Sequence, residues 1–263
     1  MAKKKKKPWK WLYISIILVG IIAIWLVAKF YISVNSLSYY GGPTKSRTES
    51  LKFDLIFRNH PDALLGIDVS HYQGAINWKN LSLQIKNRPI SFMILRATMG
   101  DNNDKLFKKN WLEAGKLPIR KGAYHYYRPN ENSTKQAEMF IKAVELRPGD
   151  LPPILDIERH STIQTRDRLR EGVRNWLKIV EAHYGVKPML YTGDNYFKHV
   201  FLGEGFEDYP LWVANYNHIQ QPESDYWVMW QFSEKGILPG ISNKVDLNII
   251  RGGSKTLENL LIK

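Results

Sequence analysis

Two acidic residues stand in an otherwise apolar stretch of the chain, the segment LPPILDIE at positions 151–158. Acidic side chains are seldom buried, so acids among apolar strand residues indicate a function. The two-residue period of a strand places Asp156 and Glu158 on one face. Two carboxyls in a partly dry site cannot both ionise freely, so one becomes a general acid beside an anion. Taken alone the pair is weak, because a buried salt bridge to an arginine such as Arg96 explains it as well.

Two further acids occupy comparable places near the beginning and the end of the chain. Asp68 ends the apolar run GIDVS at 66–70, and Asp246 lies in VDLN at 245–248. In a closed barrel the first and last strands are neighbours, so these carboxyls would meet at the same mouth as Asp156 and Glu158. Four converging carboxylates indicate either glycosyl chemistry or a divalent cation with oxygen ligands. Both interpretations stay open at this point.

Aromatic and polar side chains accumulate at the same strand ends. Aromatic rings stack on sugar faces, and hydroxyl and amide groups bind the polar groups of a ligand. Each residue alone is as consistent with packing, and only their concentration at one end favours a binding site. The candidate substrate contacts are Arg96, His125, Tyr126, Tyr191, Trp212, Asn215, Tyr216 and Gln231.

The composition excludes several kinds of chemistry. The 263-residue chain is 44% hydrophobic and 24% charged, which suits a folded domain with a sizeable core. It contains no cysteine, so disulfides, thiolate catalysis and cysteine-bound metal sites are excluded. The histidines match no zinc spacing, and no Gly-x-Ser-x-Gly elbow supports a serine triad. We expect no cofactor, and no metal unless the four carboxylates hold a cation.

The elements that must position these residues alternate between short apolar runs and helical patterns. This alternation predicts a parallel sheet, and eight strands predict a closed, TIM-like β/α barrel with about five helices. The last connections are short or rich in Gly and Pro, so the barrel should be irregular and lack helices in its last third. Ser133 and Gln136 predict a capping box ahead of one helix. The strand candidates are Gly66–Ser70, Phe92–Thr98, Lys121–Tyr127, Ile154–Glu158, Met189–Thr192, Leu211–Tyr216, Trp227–Phe232 and Val245–Ile249.

The N-terminal segment is basic and then strongly apolar. Residues 1–30 contain seven lysines and no acid, and so carry +7 of the formal net charge of +13. The uncharged residues 11–28 would span roughly 27 Å as a helix, close to the ~30 Å of a hydrocarbon core. We therefore predict a basic cytoplasmic tail at 1–10 and a transmembrane helix at 11–33, which places the following domain in the periplasm or at the cell surface. A cleaved signal peptide is the alternative, although its apolar core would be shorter.

The remainder divides into a linker and one domain. Residues 34–63 are rich in Ser, Gly, Pro and Thr near their start and predict a juxtamembrane linker, with a short strand where residues 51–57 alternate. Residues 64–263 hold all strand candidates and predict the catalytic domain. The charge left after residue 30 is 13 − 7 = +6 without a basic run, so no nucleic-acid partner is expected. Nothing in the pattern indicates the oligomeric state.

The ordered set of motifs resembles glycoside hydrolase family 25, the lysozymes of the N-acetylmuramidase type. The resemblance covers about 185 residues, and one departure is Met99, where relatives often carry an acid. The motifs are GIDVSHYQGAINW at 66–78, FMILRATMG at 92–100, KGAYHYYRP at 121–129, PPILDIE at 152–158, MLYTG at 189–193, LWVANY at 211–216 and MWQFSEKGILPGISNKVDLN at 229–248.

This resemblance implies hydrolysis of the β-1,4 bond between N-acetylmuramic acid and N-acetylglucosamine in peptidoglycan. It places the general acid on Glu158, the second carboxylate on Asp156, and the supporting acids on Asp68 and Asp246. Either Asp156 attacks as a nucleophile, or the 2-acetamido group of the substrate attacks while Asp156 holds it; both routes retain configuration. We favour the substrate-assisted route. A catalytically silent glycan-binding module and a hydrolase of chitin-like chains are the alternatives.

Overall fold

The computed structural model describes residues 25–27, 29, 45–217, 221–222 and 226–263. The chain divides into two compact units, Met1–Leu51 and Lys52–Lys263. In the first unit the described residues 25–27, 29 and 45–51 are helical. Apart from residues 25–27 and 29, the predicted transmembrane segment 11–33 lies outside the described residues, as does the basic tail 1–10. In the part of the chain that is described, no helix has the length and apolar character needed to cross a membrane.

The second unit is built from short strands and the helices that cover them. The strands are β1 Leu64–Val69, β2 Gln84–Ile85, β3 Arg88–Met99, β4 Asn102–Asn103, β5 Arg120–Tyr126, β6 Ile154–Asp156, β7 Met189–Gly193, β8 Leu211–Ala214, β9 Trp227–Gly236 and β10 Val245–Ile250. The helices are α1 Lys45–Asn59, which begins in the first unit, α2 Phe107–Ala114, α3 Ser133–Ala143, α4 Arg166–Tyr184, α5 Asp194–Tyr196 with a π-helical turn Phe197–Phe201, and α6 Gly253–Leu260. All eight predicted strands are present, with ends shifted by a few residues.

Eight of these strands close into a barrel. Their order is β1-β10-β9-β8-β7-β6-β5-β3, and β1 also pairs with β3, which closes the ring. The pairs from β3 to β9 are parallel, as the alternation of strands and helices predicts. The carboxyl ends of these strands therefore meet at one mouth, where barrel enzymes carry their chemistry.

The last third of the barrel departs from a regular β/α pattern, as the sequence predicts. Strand β10 is antiparallel to both β9 and β1. Residues 237–244, all of them described, contain no helix between β9 and β10. The pair β8 and β9 is nevertheless parallel, because β8 ends at Ala214 and the connection is longer than the sequence indicated. As a result β10 runs against β1 and brings Asp246 opposite Asp68.

The short strand predicted at residues 51–57 is wrong, because this stretch lies within α1. Its apolar residues suit both periods, since Phe53, Ile56 and Phe57 also follow the i, i+3, i+4 spacing of a helix face. These three side chains are each 5% exposed. The ring of Phe53 lies 6.2 Å from that of Phe232 in β9. From Lys52 onward, α1 is thus packed on the barrel, and this part of the predicted linker 34–63 is helical.

Two apolar clusters hold the barrel together. The larger one lies between the strands and the surrounding helices, and it includes Trp176, Leu177 and Val180 of α4. The smaller one fills the barrel with side chains from alternate strand positions, among them Phe92 and Ile94 of β3. This alternation leaves the next inward positions along each strand to face the mouth.

Gly66 of β1 is a position where any side chain would collide with the barrel interior. A β-carbon placed there would lie 2.2–2.4 Å from ring atoms of Phe92. We expect Gly66→Ala to lower the free energy of unfolding by about 1–3 kcal/mol, as overpacked cores do. Urea denaturation would measure this, with Gly193→Ala as the control because its β-carbon would have 3.9 Å of clearance. Equal stability of the two variants would contradict the close packing of β1 on β3.

Candidate active site

The four predicted carboxyls converge at the mouth of the barrel. Asp68 of β1, Asp156 of β6 and Asp246 of β10 line one pocket of about 160 Å³, together with Glu158 two residues beyond the end of β6. Asp68 and Asp156 are each 5% exposed, whereas Glu158 lies exposed at the rim. The arrangement therefore places two buried acids beneath an acid that solvent and ligands can reach.

Asp68 and Asp246 form a hydrogen-bonded carboxyl pair. They face each other in the antiparallel register of β1 and β10, and Asp68 Oδ2 also accepts hydrogen bonds from Gln231 Nε2 at 2.8 Å and Asn248 Nδ2 at 2.7 Å. Burial raises the pKa of Asp68 to about 6, against the lowering effect of these donors. Burial and the neighbouring Asp68 charge raise the pKa of Asp246 to about 9. At neutral pH the pair thus shares one proton, which Asp246 donates to the Asp68 carboxylate.

Asp156 and Glu158 form a second pair. Burial, followed by the charge and the hydrogen bond of Glu158, raises the pKa of Asp156 well above its ordinary value. Although the side chain of Glu158 is exposed at the rim, desolvation by the surrounding pocket also raises its pKa, and the hydrogen bond from Asp156 opposes this shift. The other carboxyl oxygen of Asp156, Oδ1, is buried and has no hydrogen-bond partner. The proton of this pair therefore resides on Asp156, and Oδ1 can accept a hydrogen bond from a ligand.

The walls of the pocket are aromatic, and the side-chain amide of Gln231 connects them to the carboxyls by hydrogen bonds. The hydroxyl of Tyr191 donates to Gln231 Oε1 at 2.7 Å, and the hydroxyl of Tyr216 donates to the same oxygen. Gln231 in turn donates to Asp68, and Trp212 Nε1 donates to Asn248 Oδ1 at 2.9 Å. Four of the predicted contacts, Tyr191, Trp212, Tyr216 and Gln231, therefore line one rigid pocket.

The predicted set omitted three side chains at this site. Tyr124 and Glu234 also line the pocket, and Asn248 holds Asp68. The two-residue period of a strand would have found two of them, since Tyr124 lies two residues before Tyr126 and Asn248 two residues after Asp246. No comparable signal marks Glu234, which β9 places near Asp246.

A wider groove continues beyond Glu158. It has a volume of about 650 Å³ and contains Tyr126 and Arg96 among its lining residues. Arg96 does not bridge to Asp156 or Glu158, because its Nε donates to Asp104 Oδ2 at 3.0 Å. Arg96 therefore forms no salt bridge with the Asp156 and Glu158 pair, although its charge acts on Asp156 and opposes the rise of its pKa. Tyr126 lies opposite Asp156 in the register of β5 and β6, at the junction of pocket and groove.

Two predicted contacts lie away from the pocket. His125 is fully buried on the outer face of β5, where its ring stacks on Trp176 and its nitrogens lie 2.7 Å from Thr98 Oγ1 and 3.0 Å from Gln136 Oε1. Burial lowers the pKa of His125 to about 4. The structure does not bring His125 to the pocket with which the prediction associated it, because His125 alternates with the inward Tyr124 and Tyr126.

The second displaced contact is Asn215. Its amide nitrogen donates to Asp194 Oδ2 at 3.0 Å, and its amide oxygen accepts from the backbone nitrogen of Asn217 at 3.0 Å. Asn215 therefore shapes the loop after β8 and does not line the pocket.

The predicted capping box of Ser133 and Gln136 is not formed. Helix α3 is instead capped by Asn132, whose side chain accepts a hydrogen bond from the backbone nitrogen of Lys135.

The structure contains a larger cavity elsewhere, but that cavity lacks the acidic side chains of the pocket. A cavity of about 770 Å³ lies beside α2 and includes Trp111 and Lys142, but none of the four carboxyls. Over the described ranges, no three His, Asp or Glu side chains are grouped to hold a metal ion. The chemistry of the pocket is that of two proton-sharing carboxyl pairs, which can donate a proton and stabilise positive charge.

The proton on Asp246 should make stability depend on pH. Since the pKa of Asp246 is raised from 3.8 to about 9, the folded chain holds a proton that the unfolded chain releases above pH 3.8. Stability from this group is therefore lost as the pH rises towards about 9. We expect Asp246→Asn, whose amide still donates to Asp68, to show a smaller fall in Tm between about pH 5 and pH 9 than the wild type. A change of 1 kcal/mol in the free energy of unfolding corresponds to about 2–4 °C in Tm at this size. Asp101→Asn is the control, because Asp101 is exposed. If Tm of Asp246→Asn fell with pH as steeply as that of the wild type, the shared proton would be contradicted.

The sequence of this chain is similar to that of known proteins. Residues 67–241 match the model of the family described as glycosyl hydrolases family 25. The YegX protein of Escherichia coli O6:H1 is 31% identical over 254 residues, which cover 93% of this chain and 90% of that protein. Lysozyme M1 of Streptomyces globisporus is 32% identical over 209 residues, covering 73% of this chain and 69% of that protein. The match to YegX extends beyond residues 67–241 and so includes part of the chain outside the family region.

The fold also agrees with solved structures. The crystal structure of a bacterial lysozyme from Streptomyces coelicolor superimposes with a TM-score of 0.66 at 28% identity, covering 75% of this chain and 96% of that one.

Proposed function

The chain belongs to glycosyl hydrolase family 25 and is a glycoside hydrolase of the lysozyme type, and from this premise we propose that it hydrolyses the β-1,4 bond between N-acetylmuramic acid and N-acetylglucosamine in peptidoglycan. The observation that supports this most is the buried Asp156 hydrogen-bonded to the exposed Glu158. In such a pair Glu158 can deliver a proton to the leaving oxygen, and Asp156 is a buried polar group beside the sugar.

The proposed mechanism retains the anomeric configuration. An inverting enzyme needs about 6.5–9.5 Å between its carboxyls to seat a water, whereas Asp156 and Glu158 share a hydrogen bond. Glu158 takes up the shared proton and delivers it to the glycosidic oxygen, then removes a proton from water in the second step. The Asp68 and Asp246 pair adds negative charge beneath the sugar and stabilises the positive charge that develops on it.

The route to the intermediate is proposed to be substrate-assisted. Asp156 is buried and hydrogen-bonded to Glu158, and once Glu158 has taken up the shared proton, the Asp156 carboxylate can accept a hydrogen bond from the 2-acetamido group as the oxygen of that group attacks the anomeric carbon. Its unpartnered Oδ1 is the acceptor available for the amide nitrogen–hydrogen of this group. The same carboxyl then carries the charge that balances the cyclised intermediate.

The proposed site of action is the outer face of a membrane. The lysine-rich residues 1–10 and the apolar residues 11–33 support a single-pass anchor with the domain outside the cytoplasm. We expect a reporter that is active only in the cytoplasm to be silent when fused after residue 40. We also expect removal of residues 1–33 to yield a water-soluble enzyme, since α1 and the barrel are retained. Activity of the cytoplasmic reporter would contradict this topology.

Digestion of purified peptidoglycan tests the proposed activity. The fragments are reduced with borohydride and identified by mass spectrometry. A muramidase produces new reducing ends on N-acetylmuramic acid. New ends on N-acetylglucosamine would refute the assigned bond, and the absence of new ends would indicate a glycan-binding module. Cleavage of chitin oligomers with no action on peptidoglycan would point to the alternative substrate.

A further inference from the structure

We propose that the groove beyond Glu158 binds carboxylates of the stem peptide that the glycan carries on the leaving-group side of the cleaved bond, with Arg128 and Arg159 as the binding residues. This inference rests on the proposed muramidase function and adds a specificity determinant to it. The groove is the 650 Å³ space that also contains Tyr72, Arg96, Tyr126 and Glu131.

The position of Glu158 decides which part of the substrate enters the groove. Glu158 lines both the deep pocket and the groove, and so it stands between them. The remaining carboxyls lie on the pocket side, where they stabilise positive charge on the sugar whose anomeric carbon reacts. The proton from Glu158 goes to the bridging oxygen, so the sugars beyond that oxygen extend into the groove. With about 650 Å³ against about 160 Å³, the groove also has room for a substituent beside the sugar ring.

The groove differs from the pocket in its charge. Its three arginines are not equally neutralised: Arg96 is held by Asp104 at 3.0 Å, whereas Arg128 lies 3.6 Å from the half-buried Glu131. Arg159 forms no ion pair with any residue that the structure describes, and it is exposed at the rim. Arg128 and Arg159 both line the groove, and both act to lower the pKa of Tyr126, so their charges act on the same side chain of the groove.

Met99 contacts Arg128 without neutralising its positive charge. Its sulfur lies 3.7 Å from Nη2 of Arg128, so a thioether contacts the guanidinium where a carboxylate would neutralise it. Arginine forms paired hydrogen bonds with carboxylates through its planar fork, and the groove therefore offers two partly unsatisfied forks to an anion.

Among the parts of the substrate, the stem peptide carries the matching charge. The sugar rings of the strand are uncharged, and the lactyl group of each muramic acid is consumed in an amide bond to the peptide. The sugar that leaves first is N-acetylglucosamine, and the next one is a muramic acid whose peptide has free carboxylates. Those carboxylates are the anions nearest the groove on the leaving side.

The test removes the substrate's charge without removing its peptide. Peptidoglycan is treated with carbodiimide and methylamine, which convert free carboxylates to amides, and rates are compared with those on the untreated polymer. We expect Arg128→Gln and Arg159→Gln each to raise KM about three- to tenfold on the untreated polymer, a range that a charged contact at a partly exposed site supports. On the amidated polymer the variants should match the wild type.

Three outcomes separate the explanations. Equal losses on both polymers would overturn the proposal, because the arginines would then act on Glu158 or on the sugars. Unchanged KM on both polymers would overturn it as well. No muramic reducing ends from the wild type on the untreated polymer would instead refute the proposed function. Arg147→Gln is the matched control, since Arg147 is exposed and pairs with Glu145 away from the groove.

A second inference rests on a different contact: we infer that Lys52 of α1 is a positioning residue for the pocket. Lys52 is 4% exposed, and its Nζ donates to the backbone oxygen of Tyr216 at 2.9 Å. The hydroxyl of Tyr216 donates to Gln231, and Gln231 donates to Asp68. A residue outside the matched family region 67–241 thus fixes the loop whose tyrosine completes the pocket wall.

Kinetics of matched lysine variants test this role. We expect Lys52→Met, which keeps the apolar stem and removes the donor, to raise KM or lower kcat about threefold or more, with partial recovery in Lys52→Arg. Lys86→Met is the control, because Lys86 pairs with Asp54 of the same helix and does not reach the pocket. A loss of Tm with unchanged KM and kcat in Lys52→Met would show a merely structural role and overturn the inference, as would an equal kinetic change in Lys86→Met.

Discussion

Replacing Glu158 by Gln is expected to lower kcat by at least about 10²–10⁴-fold while the fold stays intact. The amide keeps the size of the side chain and can still accept the hydrogen bond from Asp156, but it cannot deliver a proton to the glycosidic oxygen. Because Glu158 lies exposed at the rim, the change leaves the packed core of the barrel unaltered. Release of reducing ends from peptidoglycan measures kcat, and circular dichroism with Tm confirms folding.

The comparison needs an acid that has no part in the chemistry. Glu171→Gln serves, since Glu171 lies exposed on α4 and pairs with Arg168 at 2.7 Å. We expect this control to keep wild-type kinetics. Near-normal turnover by Glu158→Gln would mean that another group protonates the leaving oxygen, and the assignment of the general acid would fail.

Glu158→Gln should also change the pH profile of the residual activity. Desolvation by the surrounding pocket raises the pKa of Glu158, and the proton that it is proposed to deliver must be present for turnover. In the wild type, activity should therefore fall as the pH rises past the titration of the Asp156 and Glu158 pair, which reports macroscopic values belonging to both groups. Loss of this limb in the variant would tie the limb to the pair.

The barrel was predictable because its signals are local and repeated. Eight short apolar runs specify eight strands, and the closure of a barrel brings the first and last together. That step alone predicted that Asp68 and Asp246 meet, and the antiparallel register of β1 and β10 confirms their proximity. The two-residue period did the same for Asp156, which β6 directs to the mouth.

The sequence failed to predict features that depend on which face of a strand a side chain occupies, or on packing between distant parts of the chain. Tyr124, His125 and Tyr126 are all polar-tipped residues near one strand end, and only packing against Trp176 shows that His125 is the outward one. The residues of α1 suit a strand and a helix alike, and contact of Phe53 with Phe232 of β9, far away in sequence, selects the helix. Tertiary contacts override such ambiguous local patterns.

The location of the protons was also beyond the sequence. An Asp-x-Glu pair predicts one raised pKa, but not which carboxyl holds the proton. Burial decides this, since Asp156 is 5% exposed and Glu158 is exposed at the rim. The hydrogen bond between Asp156 and Glu158 is the feature that bears most directly on the mechanism.

Asp156→Asn is expected to slow turnover by about 10²-fold or more. On the wild-type enzyme, we expect no sugar to become covalently attached to Asp156. The neutral amide can still orient the 2-acetamido group, but it cannot become the anion that balances the cyclised intermediate. A thiazoline mimic of that intermediate is expected to inhibit the wild type and to bind the variant less tightly. Asp54→Asn, on the exposed face of α1, is the control for the substitution itself.

A 2-fluoro sugar substrate distinguishes the two nucleophiles. It slows breakdown of a covalent intermediate, so an enzyme with a carboxylate nucleophile accumulates an ester that intact-protein mass spectrometry detects. Because Asp156 is buried, hydrogen-bonded to Glu158 and proposed to orient the 2-acetamido group, we expect no added mass on the wild type. A glycosylated peptide containing Asp156 would show that this carboxylate attacks directly, and one containing Asp68 would move the nucleophile to the opposite side of the pocket. Either adduct would replace the substrate-assisted route, while the role of Glu158 as acid would still stand.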